Sequence, residues 1–486
     1  MQIGRFAGIV ASIALLASLA AARPAAAAPG LTVGAVEDEV RASTLAEAEA
    51  KIAQLRLAGF RAVRIESIWA PGQTQPTPEE LSVLQSVSSA GQMEGVRIIV
   101  TVTQKGSKTT PLTDEAQGQF ASYAAAIVRE TKVRSIIVGN EPNLNLFWLP
   151  QFNLDGSDAA GHAYMSLLAS TYDAIKAVDP DTTVYGGAIS PRGTDKPQGI
   201  RPTHSPTTFI HDLGTAYRAS GRTKPIMDAL AIHVYEDTSS LPPTVAHPNS
   251  TSIAIADYDK LVALLGQAFD GTAQAGSTLP ILYGEYGVET QIPANKASLY
   301  TGTEPTTTKP TTETTQASYY QQALAMAFCQ PTVDGIMILH TIDEPALDRW
   351  QSGLFYADGT PKSSLPAVRA ALNRTAGGSI AHCPGIQLPV SATHVSFAGR
   401  AAARRGEFRA SFTCALDCVF QVRVVKVSTG VTKMIRSGRA AVGQAVQVQF
   451  APHHLGPGAY RYRLKLVHPV NPAPPTLRAG PIFRLP

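Results

Sequence analysis

The stretch "SIIVGNEPN" (135–143) decides how the rest of the chain is read: Ile136, Ile137 and Val138 run without a polar break into Gly139-Asn140-Glu141-Pro142-Asn143. A β-branched run lacking polar alternation reads as a strand buried on both faces, as in a parallel sheet covered by helices. Such a strand has no structural use for a carboxylate between two amides at its C-terminal end, so that end is where function is expected.

Working outward, seven similar runs are found: "LTVGAV" from 31, "AVRIES" from 62, "VRIIVTV" from 96, "TVYGGAI" from 183, "MDALAIHVY" from 227, "ILYGEYG" from 281 and "GIMILH" from 335. Longer helical patterns fill the gaps. Thr44 with Glu47 forms a capping-box signal, "TPEE" at 77 places Pro78 at a first helical position, and Gly59 supplies a stop. Eight strand–helix units predict an α/β fold, a (β/α)8 TIM barrel over residues 30–375. A doubly wound open sheet is the alternative, disfavoured because the first turn lacks GxGxxG. The Pro/Thr-rich segment "TGTEPTTTKPTTETTQ" (301–316) is expected to be a long mobile loop beside the barrel rim.

At 486 residues the chain is too long for one core. After about residue 375 the helical period disappears, and "FRASFTC", "CVFQVRVVKV", "AVQVQF" and "YRYRLKLV" alternate, predicting an Ig-like β-sandwich over 386–486. That segment holds fourteen Lys and Arg against Glu407 and Asp417, a balance of +12 beside +4 overall, so the remainder carries −8. The asymmetry fits attraction to an anionic cell-wall polymer. It fits equally a solvated basic sheet face, since Arg461, Arg463 and Lys465 alternate with apolar neighbours.

The first residues combine Arg5, an apolar stretch over 7–22 and an alanine-rich exit, which reads as a signal peptide over 1–27. A secreted protein, extracellular or associated with the cell wall, is expected. An uncleaved anchor is the alternative, although the apolar run is short for a span. The four cysteines are even in number, and the expected pairs are Cys414–Cys418 and Cys329–Cys383. A monomer without nucleic-acid partners is expected.

In a (β/α)8 barrel the reacting groups sit at the C-terminal strand ends. The fourth strand stops at Asn140-Glu141 and the seventh at Gly284-Glu285. Two carboxylates on one rim are what glycosidic cleavage needs, one to protonate the leaving oxygen and one to meet the anomeric carbon.

On "GNEPN" (139–143), "HVY" (233–235), "YGEYG" (283–287) and Arg64 of "VRIESIW", residues 31–375 resemble the clan A retaining glycoside hydrolases, cellulase-like families 5 and 39. The resemblance implies a retaining hydrolase of an oligo- or polysaccharide, with Glu141 as acid/base and Glu285 as nucleophile. It implies further that Arg64 and Tyr235 hold Glu285 and that Asn140 meets a sugar hydroxyl. His233 is a candidate for lining the site. Trp69, Phe147, Trp148 and Trp350 are candidates for stacking on sugar faces. Many of these families end strand eight in Trp where this chain has His340, with Trp350 ten residues on to return to the same place.

No metal or organic cofactor is required by this chemistry. Two other readings stay open: a non-catalytic carbohydrate-binding barrel, and a metal-dependent hydrolase using His233, His340 and Asp343. Among nearby acids (Glu236, Asp237, Glu289, Asp343 and Glu344), Glu289 is the closest competitor to Glu285.

Overall fold

A computed structural model describes residues 31–378, 390–415, 417–451, 454–469 and 475–486. The expected signal peptide lies outside the described residues, and so does Cys383 of the expected Cys329–Cys383 pair.

Eight parallel strands close into a barrel in chain order: β1 (Thr32–Val36), β2 (Ala62–Trp69), β3 (Arg97–Gln104), β4 (Ser135–Val138), β5 (Thr183–Ile189), β6 (Ala229–His233), β7 (Ile281–Tyr286) and β8 (Val333–Leu339). Closure is made by β1, which pairs with β2 and β8 through the same residues: Gly34 is opposite both Ala62 and Met337. A side chain at Gly34 has no room, because a Cβ there would lie 2.2 Å from the Met337 sulfur. The open-sheet alternative is excluded by this closure.

Each strand is followed by its helix: α1 (Leu45–Ala58), α2 (Pro78–Glu94), α3 (Asp114–Thr131), α4 (Ala160–Val178), α5 (Pro206–Ala219), α6 (Tyr258–Phe269), α7 (Glu313–Cys329) and α8 (Leu365–Ala376). Both strand faces are apolar because both are covered. Ile99, Ile137, Leu282 and Met337 fill the barrel interior, whereas Val63, Ile136, Ile232 and Ile336 pack outward against the helices.

The helix starts follow their capping residues. Thr77 accepts from Glu80 N at 3.2 Å with Pro78 in the first turn, and Gly59 ends α1 in the left-handed region at φ 109°. The box at Thr44 is one-sided: Thr44 accepts from Glu47 N, while the Glu47 carboxylate pairs with Lys51 at 3.2 Å.

The Pro/Thr-rich segment departs from expectation. Its last four residues form the first turn of α7, capped by Thr312, and the rest is tied down by bridges from Thr301 to Ala346 and from Thr311 to Thr290. Threonine hydroxyls that read as low complexity serve as cap and bridge residues.

The C-terminal domain is two antiparallel sheets. The smaller has the order β13-β10-β9, made of β9 (Ala392–Phe397), β10 (Arg409–Cys414) and β13 (Ala445–Gln449). The larger has the order β12-β11-β14-β15, made of β11 (Cys418–Lys426), β12 (Thr432–Ala440), β14 (Gly458–Val467) and β15 (Thr476–Leu485). One apolar core joins them, with Phe408, Phe412, Val422, Tyr462 and Leu464 buried together. The expected Cys414–Cys418 disulfide links β10 to β11. Among the described residues, no helix is long and apolar enough to cross a membrane.

Candidate active site

Backbone geometry sets the stage where β4 ends. Gly139 has φ 79° and Glu141 φ 41°, and on the neighbouring β5 Ala188 has φ 45°. A non-glycine residue held in the left-handed region costs on the order of 1–2 kcal/mol and persists only where the surroundings over-determine it. Here Glu141 N donates to Ala188 O at 2.9 Å, and the Asn143 side chain bridges the next loop by accepting from Ser190 N and donating to His204 O. The result turns Glu141 out of the strand line. On the opposite side a register shift after Ile232 sets His233 of β6 against Glu285 of β7.

Arg64 organises the floor between these two ends. Its side chain is fully buried, and the guanidinium spends its donors on four strands. Nη1 donates to Glu285 Oε1 at 2.6 Å and to Gly284 O at 3.3 Å; Nη2 donates to Asn140 Oδ1 at 2.8 Å; Nε donates to Thr101 Oγ1 at 2.6 Å. Tyr235 Oη donates to the other oxygen of Glu285 at 2.8 Å. With its oxygen occupied by Arg64, Asn140 keeps its amino group for another acceptor.

His233 joins the two carboxylates. Its Nε2 lies 3.3 Å from Arg64 Nη1, and a guanidinium can only donate, so Nε2 accepts and Nδ1 carries the hydrogen. That Nδ1 lies 2.8 Å from Glu141 Oε1 and 3.3 Å from Glu285 Oε2. Two oxygens sharing one nitrogen at these distances are at most about 6 Å apart. The His233 side chain is fully buried, whereas Glu141 and Glu285 remain 14% and 15% exposed, enough to meet a ligand from the rim.

The charges are unequal. Burial works against the Glu285 anion, but electrostatic attraction from His233 and the Arg64 guanidinium, with hydrogen bonds from Tyr235 and Arg64, more than offsets it and holds its carboxyl below the ordinary range. Burial pushes Glu66 the other way, with Asp38 and Glu285 adding repulsion and Arg64 opposing. The arrangement therefore supplies one carboxylate held as the anion and a second carboxyl group in hydrogen-bond contact with the His233 ring.

The expected aromatics divide. Trp350 stacks on Tyr235 at 4.9 Å between ring centroids, one residue away from Glu285, as its position in the chain allows. Trp69 and Trp148 are corrections. Trp69 is completely buried against Phe120 with its Nε1 donating to Gln73 O, and Trp148 is 1% exposed with its edge toward Tyr164. Neither offers a face to a ligand, because both pack into the layer between strands and helices rather than over the rim. Phe147 is partly buried.

His340 turns toward Glu344, 3.8 Å away. Asp343 is committed to a buried pair with Lys362 at 2.8 Å, so His233, His340 and Asp343 form no metal-ligating group among the described residues. Glu289 is buried with Glu304 and Asp343 nearby, which raises its carboxyl to about 7, and it does not reach Arg64 or His233.

Three participants went unread in the sequence. Thr101 orients Arg64; Glu66 follows Arg64 by two on the same strand face, a period-2 signal that was available. Glu37 follows β1 and accepts from Thr341 N at 2.9 Å, tying the loops after β1 and β8 together.

No protein-family model matches the chain, and no curated protein is similar to it in sequence. Its structural neighbours are glycoside hydrolases. Among them are Bacteroides uniformis beta-glucuronidase 2 covalently bound to cyclophellitol-6-carboxylate aziridine (12% identity, TM-score 0.44, 94% of this chain and 46% of that one) and a glucosidase from Croceicoccus marinus (12%, 0.46, 87% and 93%). Another is a GH5_18 protein from Bifidobacterium longum in complex with Manb1-4GlcNAc (13%, 0.47, 74% and 81%). The chain spans less than half the length of the glucuronidase. At these identities the likeness is one of architecture.

Proposed function

We propose that this protein is a secreted retaining glycosidase that cleaves O-glycosidic bonds of an oligo- or polysaccharide by double displacement. The observation that carries the reading is the sharing of His233 Nδ1 by Glu141 and Glu285. Retaining pairs stand about 5–5.5 Å apart, and inverting pairs about 6.5–9.5 Å to admit a water. A ceiling of about 6 Å between Glu141 Oε1 and Glu285 Oε2 supports the first class, since it leaves little room for a water between those oxygens.

Glu285, held as the anion by Arg64 and Tyr235, attacks the anomeric carbon while Glu141 gives its proton to the departing oxygen. The C–O bond to the leaving group breaks and an ester to Glu285 forms. Glu141 then takes a proton from water, whose oxygen displaces Glu285. Asn140 donates to a sugar hydroxyl near the reacting carbon, and Trp350 with Tyr235 forms an apolar wall for the ring.

The test is a panel of 2-fluoro aryl glycosides with mass spectrometry of the trapped peptide. Label on Glu285 supports the reading, and label on another carboxylate overturns it. Tight oligosaccharide binding without turnover of any substrate in the panel favours the carbohydrate-binding alternative.

The same proposal extends to the C-terminal domain as an anchor for an anionic wall polymer. Arg423 of β11 stands directly opposite Arg463 of β14, and with Lys465 and Arg478 they line a groove of about 330 Å3. Like charges placed opposite each other across strands repel unless an anion lies between them.

A further inference from the structure

A cavity of about 540 Å3 opens beside the start of α4, lined by Asp158, His162, Asp212, Asn153 and apolar neighbours, with no Lys or Arg among its lining residues. Glu141 and Glu285 do not line it. Two of the lining residues, Asp158 from the loop before α4 and Asp212 from α5, converge with the buried His204 from the loop before α5, bringing three donor atoms within 4.8 Å of one another.

The orientation of His204 is fixed by Gln151. The Gln151 amino group donates to Pro142 O at 3.0 Å and Trp148 O at 2.9 Å, so its oxygen is the atom facing the ring. His204 Nδ1 lies 3.0 Å from that oxygen and therefore carries the hydrogen. In the neutral ring, the lone pair on Nε2 then points at Asp158 Oδ1, 3.3 Å away, and Asp212 Oδ2, 3.7 Å away. His204 is fully buried, and its Nε2 makes no hydrogen bond to either oxygen or to any other described residue.

Three electron-pair donors converging on one point repel one another unless a cation sits between them. A tetrahedral ion with bonds of about 2.0–2.2 Å sets its ligand atoms about 3.3–3.6 Å apart, close to the spacings around His204. Asp158 is already held, accepting from Gly161 N and His162 N at 2.9 Å each. The absence of a side chain at Gly161 lets both carboxylates approach, since a Cβ there would lie 3.1 Å from Asp158 Oδ2 and from Asp212 Cβ. A carbonyl-type oxygen on the far nitrogen of a ligating histidine is the usual support for such a ring.

We propose that Asp158, His204 and Asp212 bind one divalent transition-metal ion of the zinc or manganese class, with solvent from the cavity completing its coordination. This revises the expectation from sequence that no metal is involved, without giving the metal a part in bond cleavage. Its role is a staple. Gln151 ties the imidazole to the carbonyls of Pro142 and Trp148, so the ion stiffens the loop that starts at Glu141.

The experiment uses the purified full chain, freed of metal with EDTA and titrated by calorimetry with ZnCl2, with MgCl2 as the hard-ion control. One equivalent of zinc is expected to bind, raising Tm by several degrees, and Asp212→Asn is expected to weaken it at least tenfold. Because Asp212 is partly exposed, that variant should retain the metal-free Tm. X-ray absorption of the zinc-loaded wild type gives an independent readout, with nitrogen and oxygen ligands including a single imidazole expected. No saturable uptake at millimolar zinc, equal uptake by Asp212→Asn, or a spectrum with two or more imidazoles would overturn the proposal. So would nitrogen NMR showing His204 doubly protonated at neutral pH in zinc-saturated protein.

Discussion

Arg64 Nη1 lies 2.6 Å from Glu285 Oε1, and the Arg64 side chain is fully buried. A buried cation so placed is committed: it has no water to return to, and its donors are spent on β3, on β7 and on Asn140 just past β4.

Replacing Arg64 with Met therefore does two things. It removes one partner of a buried pair, a loss of about 3–5 kcal/mol in urea melts at pH 7. It also lets the Glu285 carboxyl rise, and on the glycosidase reading kcat/KM falls by at least about 100-fold. The pH dependence separates the charge effect from packing. Because the folded-state value of Glu285 is depressed, its stabilisation is present above the ordinary carboxylate range and is lost as pH falls through the depressed value. Arg64→Met should lose less stability than wild type over that acid limb.

Glu236 titrates in the opposite sense. Burial, with Asp257 and Asp237 adding repulsion and Arg192 opposing, raises its carboxyl to about 8, and neither oxygen has a hydrogen-bond partner among the described residues. His247, whose Nε2 is 3.8 Å away, is itself held by Asp257. An acid raised on folding costs stability as pH climbs from its unfolded value toward the folded one. Glu236→Gln should accordingly leave Tm unchanged near pH 4 and raise it progressively up to pH 8. A Tm difference that is flat with pH would show that the folded protein holds Glu236 ionised.

The tryptophans give a contrast that kinetics can read. Trp350→Ala, on the ring stacked against Tyr235, is expected to raise KM with little change in Tm. Trp69→Ala should instead cost about 3–5 kcal/mol of stability and leave the KM of the folded fraction alone, because that ring is in the core.

At the basic sheet, Arg463→Ser relieves the repulsion with Arg423 and should stabilise the domain by about 0.2–1 kcal/mol at low salt. The gain should vanish above a few hundred millimolar NaCl. The same variant should elute from an anionic polymer column at lower salt than wild type. Identical Tm values at every salt concentration would remove the premise of an unpaired like-charge contact.

Much of the barrel was legible because its signals are local. A strand covered on both faces must be apolar throughout, and it must end where the backbone meets the rim, so Asn140, Glu141 and Glu285 announced themselves by position. Arg64 and Tyr235 were marked by the resemblance of their motifs to a known family rather than by their position in the runs. Trp69 and Trp148 misled because a strand-end aromatic has the same local context whether it turns toward the cleft or back under the helices. The Pro/Thr-rich stretch misled because composition does not show which hydroxyls will cap a helix.

By itself, then, the sequence determined the order of eight strands and the two carboxylates that end the fourth and seventh, since burial on both faces writes a pattern within each segment. Tertiary structure alone decided that His233 stands between those carboxylates, that Trp350 rather than Trp69 stacks on the Tyr235 that holds Glu285, and that Asp158, His204 and Asp212 converge. Those outcomes depend on distances between segments remote in the chain, and closure of the barrel sets those distances where no local pattern can.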